Sequence, residues 1–199
     1  MNFSHSSHSS HSSPMKRTFI AVSVEPGNEL REAIASLKSG LRSESIKWVD
    51  ISNMHITLAF IGNTDETAVN NVRAMLENSF SGFGEIRFSL NGLGVFKSFN
   101  DPKVIFAGIE NTDKLVVSHE IVKEGLEVID IKIENRLFSP HLTIGRIKEL
   151  KDIGHFQKII KQFARIPFQT VIINEIVYFE SVLLPSGPVY KPITGISLI

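Results

Sequence analysis

Apolar positions in this chain follow two periods: every second residue in some stretches, every third or fourth in others. Arg17 to Val24 (RTFIAVSV) is dense in β-branched and aromatic residues and predicts a strand. Pro26-Gly27-Asn28 breaks it. Leu30, Ile34, Leu37 and Leu41 then recur at helical spacing, with Pro26 suited to the helix start and Gly40 near its end. Ile46 to Val49 predicts a short strand and Met54 to Ile61 a longer one. Gly62-Asn63 reads as a turn and Thr64 as the cap of a second helix, with Asp65 and Glu66 at the positive end of its dipole. Val69, Val72, Met75 and Leu76 form the apolar face of that helix, and Ser81 to Gly84 closes it.

Glu85 to Leu90 alternates as a strand, Gly92 and Gly94 interrupt it, and Lys103 to Ile109 resumes. Thr112 reads as the cap of a third helix carrying Leu115, Val116, Ile121, Val122 and Leu126. His141 to Arg146 is a strand after Pro140, Asp152 to Phe163 a fourth helix, and Val171 to Phe179 a strong strand. A turn at Leu184 to Pro188 leads into a last strand or strand pair over Val189 to Leu198. Hairpin-like strands mixed with helices predict an α+β fold with largely antiparallel sheets. The rough likeness of the two halves predicts two pseudo-symmetric lobes with flanking helices, in one bilobal domain over residues 15–199.

Residues Met1 to Pro14 (MNFSHSSHSSHSSP) are low-complexity and precede a second plausible start at Met15, so they read as a disordered leader or tag. No apolar run is long enough to span a bilayer. The absence of Cys excludes disulfides and thiol ligands and fits a reducing, cytoplasmic setting. The formal net charge of +0 lacks the excess used to hold long duplexes, so a nucleic-acid substrate would be gripped locally, at an end or a single linkage. A monomer is expected.

Two segments repeat one pattern: His55-Ile56-Thr57-Leu58 and His141-Leu142-Thr143-Ile144. Strand alternation places His55 and Thr57 on one face and Ile56, Leu58 and Phe60 on the other. The same parity puts His141 and Thr143 opposite Leu142 and Ile144. Paired imidazoles suit in-line attack on a phosphodiester, one taking a proton from the nucleophile and the other giving one to the leaving oxygen. Thr57 and Thr143 would donate to the non-bridging phosphate oxygens. A metal site is the competing reading, but neither motif carries the accompanying His, Cys or acidic ligands that zinc requires, so no metal or cofactor is expected. No phosphate-cradling Gly loop of the Walker type occurs. His119 and His155 fall in helical patterns and read as surface or packing residues.

The motifs with their flanks resemble the 2H phosphoesterase superfamily, specifically the RNA 2′,3′-cyclic phosphodiesterase group, also called 2′-5′ RNA ligases. The resemblance runs from RTFIAVSV through IKWVDISNMHITLAFIGNT and LFSPHLTIGRI to VYFESVLLPSGPVYKPI. It implies a two-lobed fold with both motifs in a shared central cleft. It also implies metal-independent opening of a ribose 2′,3′-cyclic phosphate, at RNA ends or on small nucleotides, to a 2′-phosphomonoester. His55 would be the proton donor to the leaving O3′ and His141 the base for the attacking water.

Arg146 is a natural phosphate or base contact in this setting, although strict alternation from His141 directs it to the apolar face. Tyr190 and Phe96 are candidates to flank a terminal base, with Tyr190 taken as substrate-binding. Lys97 to Lys103 reads as a rim over the substrate or a solvated turn. Lys151, Lys158 and Arg165 recur at heptad spacing on the fourth helix, as an RNA-guiding stripe or a solvated face. Alternatives on the same site are 2′-5′ RNA ligation, 2′-5′ phosphodiester cleavage, or binding of RNA ends without turnover.

Overall fold

A computed structural model describes residues 14–134, 137–185 and 187–199. The expected leader thus lies outside the described residues, Pro14 excepted. In chain order the elements are β1 (Lys16–Ser23), α1 (Asn28–Gly40), β2 (Ser45–Trp48), a 3-10 turn (Ile51–Asn53), β3 (His55–Thr64), α2 (Glu66–Phe80), β4 (Ile86–Ser98) and β5 (Asp101–Glu110). They continue with α3 (Asp113–Val128), β6 (Leu142–Glu149), α4 (Ile153–Gln162), β7 (Pro167–Ile173), β8 (Glu175–Leu184) and β9 (Gly187–Ser197).

The strands form a four-stranded sheet, β3-β1-β8-β9, and a five-stranded sheet, β2-β6-β5-β4-β7. Every pairing is antiparallel. Helix α2 packs on β3 and β9, α3 on β3, α1 on β7 and α4 on β4. The two sheets approach each other where β3 meets β6, the strands that carry the two motifs. The α+β class and the paired sheets match the sequence reading, but the four-stranded sheet joins strands from both ends of the chain and the five-stranded sheet takes those between, so a lobe is not a contiguous half.

One core runs between sheets and helices. Ile56 and Leu58 of β3, Leu142 and Ile144 of β6, Ile20 and Val22 of β1, and Leu30 and Leu37 of α1 are all buried in it. Each such side chain contributes about 1.5–3 kcal/mol on leaving water. The apolar members of both motifs anchor their strands inward, which leaves the His and Thr side chains on the opposite face.

The start of α2 departs from the sequence reading by a residue. Asp65, not Thr64, caps α2, its carboxylate accepting from the Ala68 N–H at 2.8 Å. Thr64 is instead buried at the end of β3 within a hydroxyl chain. Tyr178 donates to Thr18 at 3.1 Å, Thr18 lies 3.1 Å from Thr64, and Thr64 donates to the Lys16 carbonyl at 3.0 Å. Thr112 precedes α3 without a side-chain capping bond. Asp152 caps α4 through the His155 N–H at 2.8 Å.

The run Val171 to Phe179 is two strands, not one. The chain leaves the five-stranded sheet after Ile173 and enters the four-stranded one at Glu175, with the Asn174 carbonyl accepting from Leu198 N–H at 2.9 Å. Both pieces bury apolar residues, so no hydrophobic minimum marks the crossing. Gly62 does not end β3, and Gly92 and Gly94 do not end β4. Gly62 and Gly92 adopt φ of +90° and +64°, open to glycine, and the strands continue through them. A Cβ on Gly92 would run into the Ala164 carbonyl oxygen.

Among the described residues no helix is long and apolar enough to cross a membrane. Replacing Gly92 by Ala is expected to destabilise the fold by at least about 1–3 kcal/mol, from positive φ and the collision together, as measured by urea denaturation. Wild-type stability in that variant would remove the constraint.

Candidate active site

His55 opens β3 just after the 3-10 turn, and His141 immediately precedes β6. His55 Nδ1 lies 2.7 Å from the Asn53 carbonyl oxygen, and His141 Nδ1 lies 2.8 Å from the Ser139 carbonyl oxygen. A carbonyl only accepts, so each Nδ1 carries the hydrogen and donates it. That assignment leaves Nε2 of both rings as the nitrogen that gains and loses a proton. The turn before His55 is held by Asp50, which accepts from the backbone N–H of Ser52 at 2.9 Å.

Aromatic rings brace both imidazoles. His55 has Phe19 and Tyr190 at ring-centroid distances of 5.1 Å each, Tyr190 edge-on. His141 has Phe96 at 4.7 Å and Phe106 at 5.9 Å, both edge-on, and those two phenyl rings stack at 4.2 Å. Such contacts fix ring orientation without offering a competing hydrogen-bond partner.

The structure brings the six sequence-predicted residues together. His55, Thr57, His141, Thr143, Arg146 and Tyr190 all line one cavity of about 770 Å³. Phe96 lines it too, whereas none of Lys97 to Lys103 does. That segment is the β4–β5 hairpin end, where Lys97 and Lys103 both pair with Asp101, at 2.5 and 2.7 Å. The proposed basic stripe is not on one helix: α4 spans Ile153–Gln162, so Lys151 and Arg165 lie beyond its ends and only Lys158 within it.

Arg146 reaches the cavity because β6 is bulged. Thr143 pairs with Phe106 and Gly145 with Ile105, leaving Ile144 as the extra residue. One extra residue shifts the alternation by one position, so Ile144 and Gly145 are both buried and Arg146 is exposed. Strand β3 has the same irregularity at the same motif position. Thr57 pairs with Ala21 and Ala59 with Ile20, so Leu58 is extra. Phe60 therefore does not share a face with Ile56 and Leu58, as alternation predicted. It lines the cavity with the Arg17 guanidinium 4.8 Å over its ring.

Burial lowers the proton affinity of His55 below the usual histidine value, and the nearby charges of Arg146 and His141 lower it further. The Asn53 carbonyl works the other way, by favouring the charged ring, but does not outweigh burial. Burial likewise raises Tyr190, which stays a neutral phenol near pH 7. Lys47 and Lys148 join Arg146 on the cavity wall. Asp50 and Glu134 line the same cavity, so the cations exceed the carboxylates by one and one imidazole is biased to neutrality.

Sequence reading missed Phe19, Phe60, Phe106 and His119. The first three sit in ordinary apolar runs and carry no distinguishing signal. His119 is neither on the surface nor a plain packing residue: it is buried, lines the cavity, and places Nδ1 2.7 Å from the Leu58 carbonyl. His155 is exposed, with Nε2 3.1 Å from the Gly40 carbonyl.

Two antiparallel sheets each present a His-x-Thr segment to one cavity, and the family match identifies the chain as a 2H phosphoesterase. The chain belongs to the LigT like Phosphoesterase family, whose profile matches residues 20–106 and 109–190. It is 34% identical over 177 residues to the RNA 2′,3′-cyclic phosphodiesterase of Thermotoga maritima, covering 88% of this chain and 91% of that one. It is 30% identical over 177 residues to the protein of the same name from Methanocaldococcus jannaschii, covering 89% and 98% respectively. A crystal structure from Thermus thermophilus superposes with a TM-score of 0.74 at 25% identity, over 92% of this chain and 97% of that one.

NMR titration of the ring protons is expected to give His55 a midpoint below 6.5. Arg146→Ala removes a neighbouring cation and should raise that midpoint. An unchanged midpoint would show that the guanidinium does not act on His55.

Proposed function

We propose that the protein hydrolyses ribose 2′,3′-cyclic phosphates at RNA ends to 2′-phosphomonoesters. The observation that carries the reading is the matched anchoring of His55 and His141 by Nδ1, with both rings on one cavity. The substrate class comes from the relatives, which bear the name of this activity over nearly the whole chain.

The cyclic phosphate sits between the two rings. His141 Nε2 takes a proton from water as the oxygen attacks phosphorus. His55 Nε2 delivers a proton to O3′ as the P–O3′ bond breaks, leaving the phosphate on O2′. Thr57 and Thr143 donate to the non-bridging oxygens, and Arg146 offsets their growing charge. Burial gives His55 a weak hold on its proton. The bound phosphate anion favours the charged ring and so loads it, and the proton passes to O3′ as negative charge builds on that oxygen. Tyr190 flanks the terminal nucleoside. No step requires a metal ion, since hydroxyls and the guanidinium meet the oxygen charge. The partners are RNA ends or small nucleotides carrying the cyclic phosphate.

His55→Ala and His141→Ala should each lower kcat by about 10²–10⁴-fold with unchanged melting temperature. Phosphorus NMR should resolve a 2′-monoester as product, with activity retained in chelator and a bell-shaped pH profile. A 3′-phosphate product, or near-normal turnover in either variant, would overturn the reading.

A further inference from the structure

We infer that His119 is a positioning residue that ties the two motif strands together and sets the spacing of the reacting groups. The inference rests on the proposed reaction but is argued from contacts that reaction does not use. His119 lies on α3, remote in sequence from both motifs, and is 8% exposed. Its Nδ1 donates to the carbonyl of Leu58, the extra residue of the β3 bulge, directly after Thr57. Its ring lies flat on Phe138, centroids 4.2 Å apart and planes within 6°, and Phe138 leads through Ser139 and Pro140 into His141. One side chain thus touches the strand of the first motif and the approach to the second.

The second bulge shows what His119 replaces. In β6 the carbonyl of the extra residue, Ile144, accepts from the backbone N–H of Val49 at 2.9 Å, just past the end of β2. Strand β3 is an edge strand with no such neighbour. The matching carbonyl, on Leu58, takes an imidazole donor from α3 instead. A buried carbonyl left unpaired is costly, and a strand can avoid that cost by rotating the peptide toward water. Rotation there would displace Thr57 and the ring of His55 two residues earlier. Nε2 of His119 lies 3.9 Å from a Glu120 carboxylate oxygen, beyond a normal hydrogen bond. The Nδ1 bond and the stack therefore hold the ring.

The test uses the full chain with three variants. His119→Phe keeps a stacking ring and removes the donor. His119→Asn keeps a donor near the position of Nδ1. Phe138→Leu removes the stacking partner and leaves the carbonyl paired. A misplacement of about 1 Å costs on the order of 10²-fold, so a fraction of that shift in His119→Phe should lower kcat by roughly tenfold with KM within about twofold. His119→Asn should recover most of the loss, and Phe138→Leu should lower kcat with KM held. Ring-proton signals of His55 in the substrate-free protein should move in His119→Phe and return in His119→Asn. A wild-type kcat in folded His119→Phe or Phe138→Leu, equal impairment of His119→Asn and His119→Phe, or unmoved ring signals would each overturn the proposal. If the wild type opens no cyclic phosphate, the reaction assigned above fails, and the ring signals alone still decide the role of His119.

Discussion

A hydrogen bond from Nδ1 to a backbone carbonyl two residues upstream fixes both motif imidazoles, and the remaining chemistry follows from it. The acceptor has no proton of its own, so the tautomer is imposed by the main chain rather than chosen by solvent. Both reactive nitrogens are then Nε2, and the braces of Phe19 with Tyr190 and of Phe96 with Phe106 hold each plane. The two settings are alike in anchoring and unlike in environment. His55 is drawn toward the neutral form by burial and by Arg146. An anion bound beside the ring would offset that bias, because a neighbouring negative charge favours the protonated imidazole.

The paired bulges give the site its second layer. Without the extra residue at Ile144, Arg146 would point into the core beside Leu142, where an unpaired guanidinium costs several kcal/mol. With it, the cation faces the cavity. The same device on β3 turns Phe60 outward under Arg17. The sixth position of each motif therefore presents a different chemistry on an otherwise matched frame: a cationic fork on one side and an aromatic face on the other. Bulges leave main-chain groups without ladder partners, and the molecule meets that need twice by different means, with Val49 in one sheet and His119 in the other.

Most elements were legible because their apolar periods are long and uninterrupted. The doubled His-x-Thr pattern was legible because alternation and repetition reinforce each other. What sequence could not show was where alternation breaks. A bulge is decided by cross-strand pairing, so the faces of Phe60 and Arg146 depended on partners, Ile20 and Ala21 or Ile105 and Phe106, distant in sequence. The glycines at 62 and 92 read as breaks but serve as bends within strands. Asn174 lies between two buried apolar runs and gave no warning of a change of sheet. His119 looked like any helix histidine, since the group it serves is a main-chain carbonyl with no residue signature.

The crossing at Asn174 has a consequence for synthesis. Strand β1 is zipped on one side to β3 and on the other to β8, with Phe19 opposite Phe179. The inner edge of the first sheet therefore waits, unpaired, for nearly the last part of the chain to leave the ribosome. Long-range closure of this kind is slow compared with local hairpins. Until then β1 offers an apolar, hydrogen-bonding border to any neighbour, so the newborn polypeptide is more vulnerable to clumping than the finished one. The carboxy-terminal hairpin acts as the clasp that seals it.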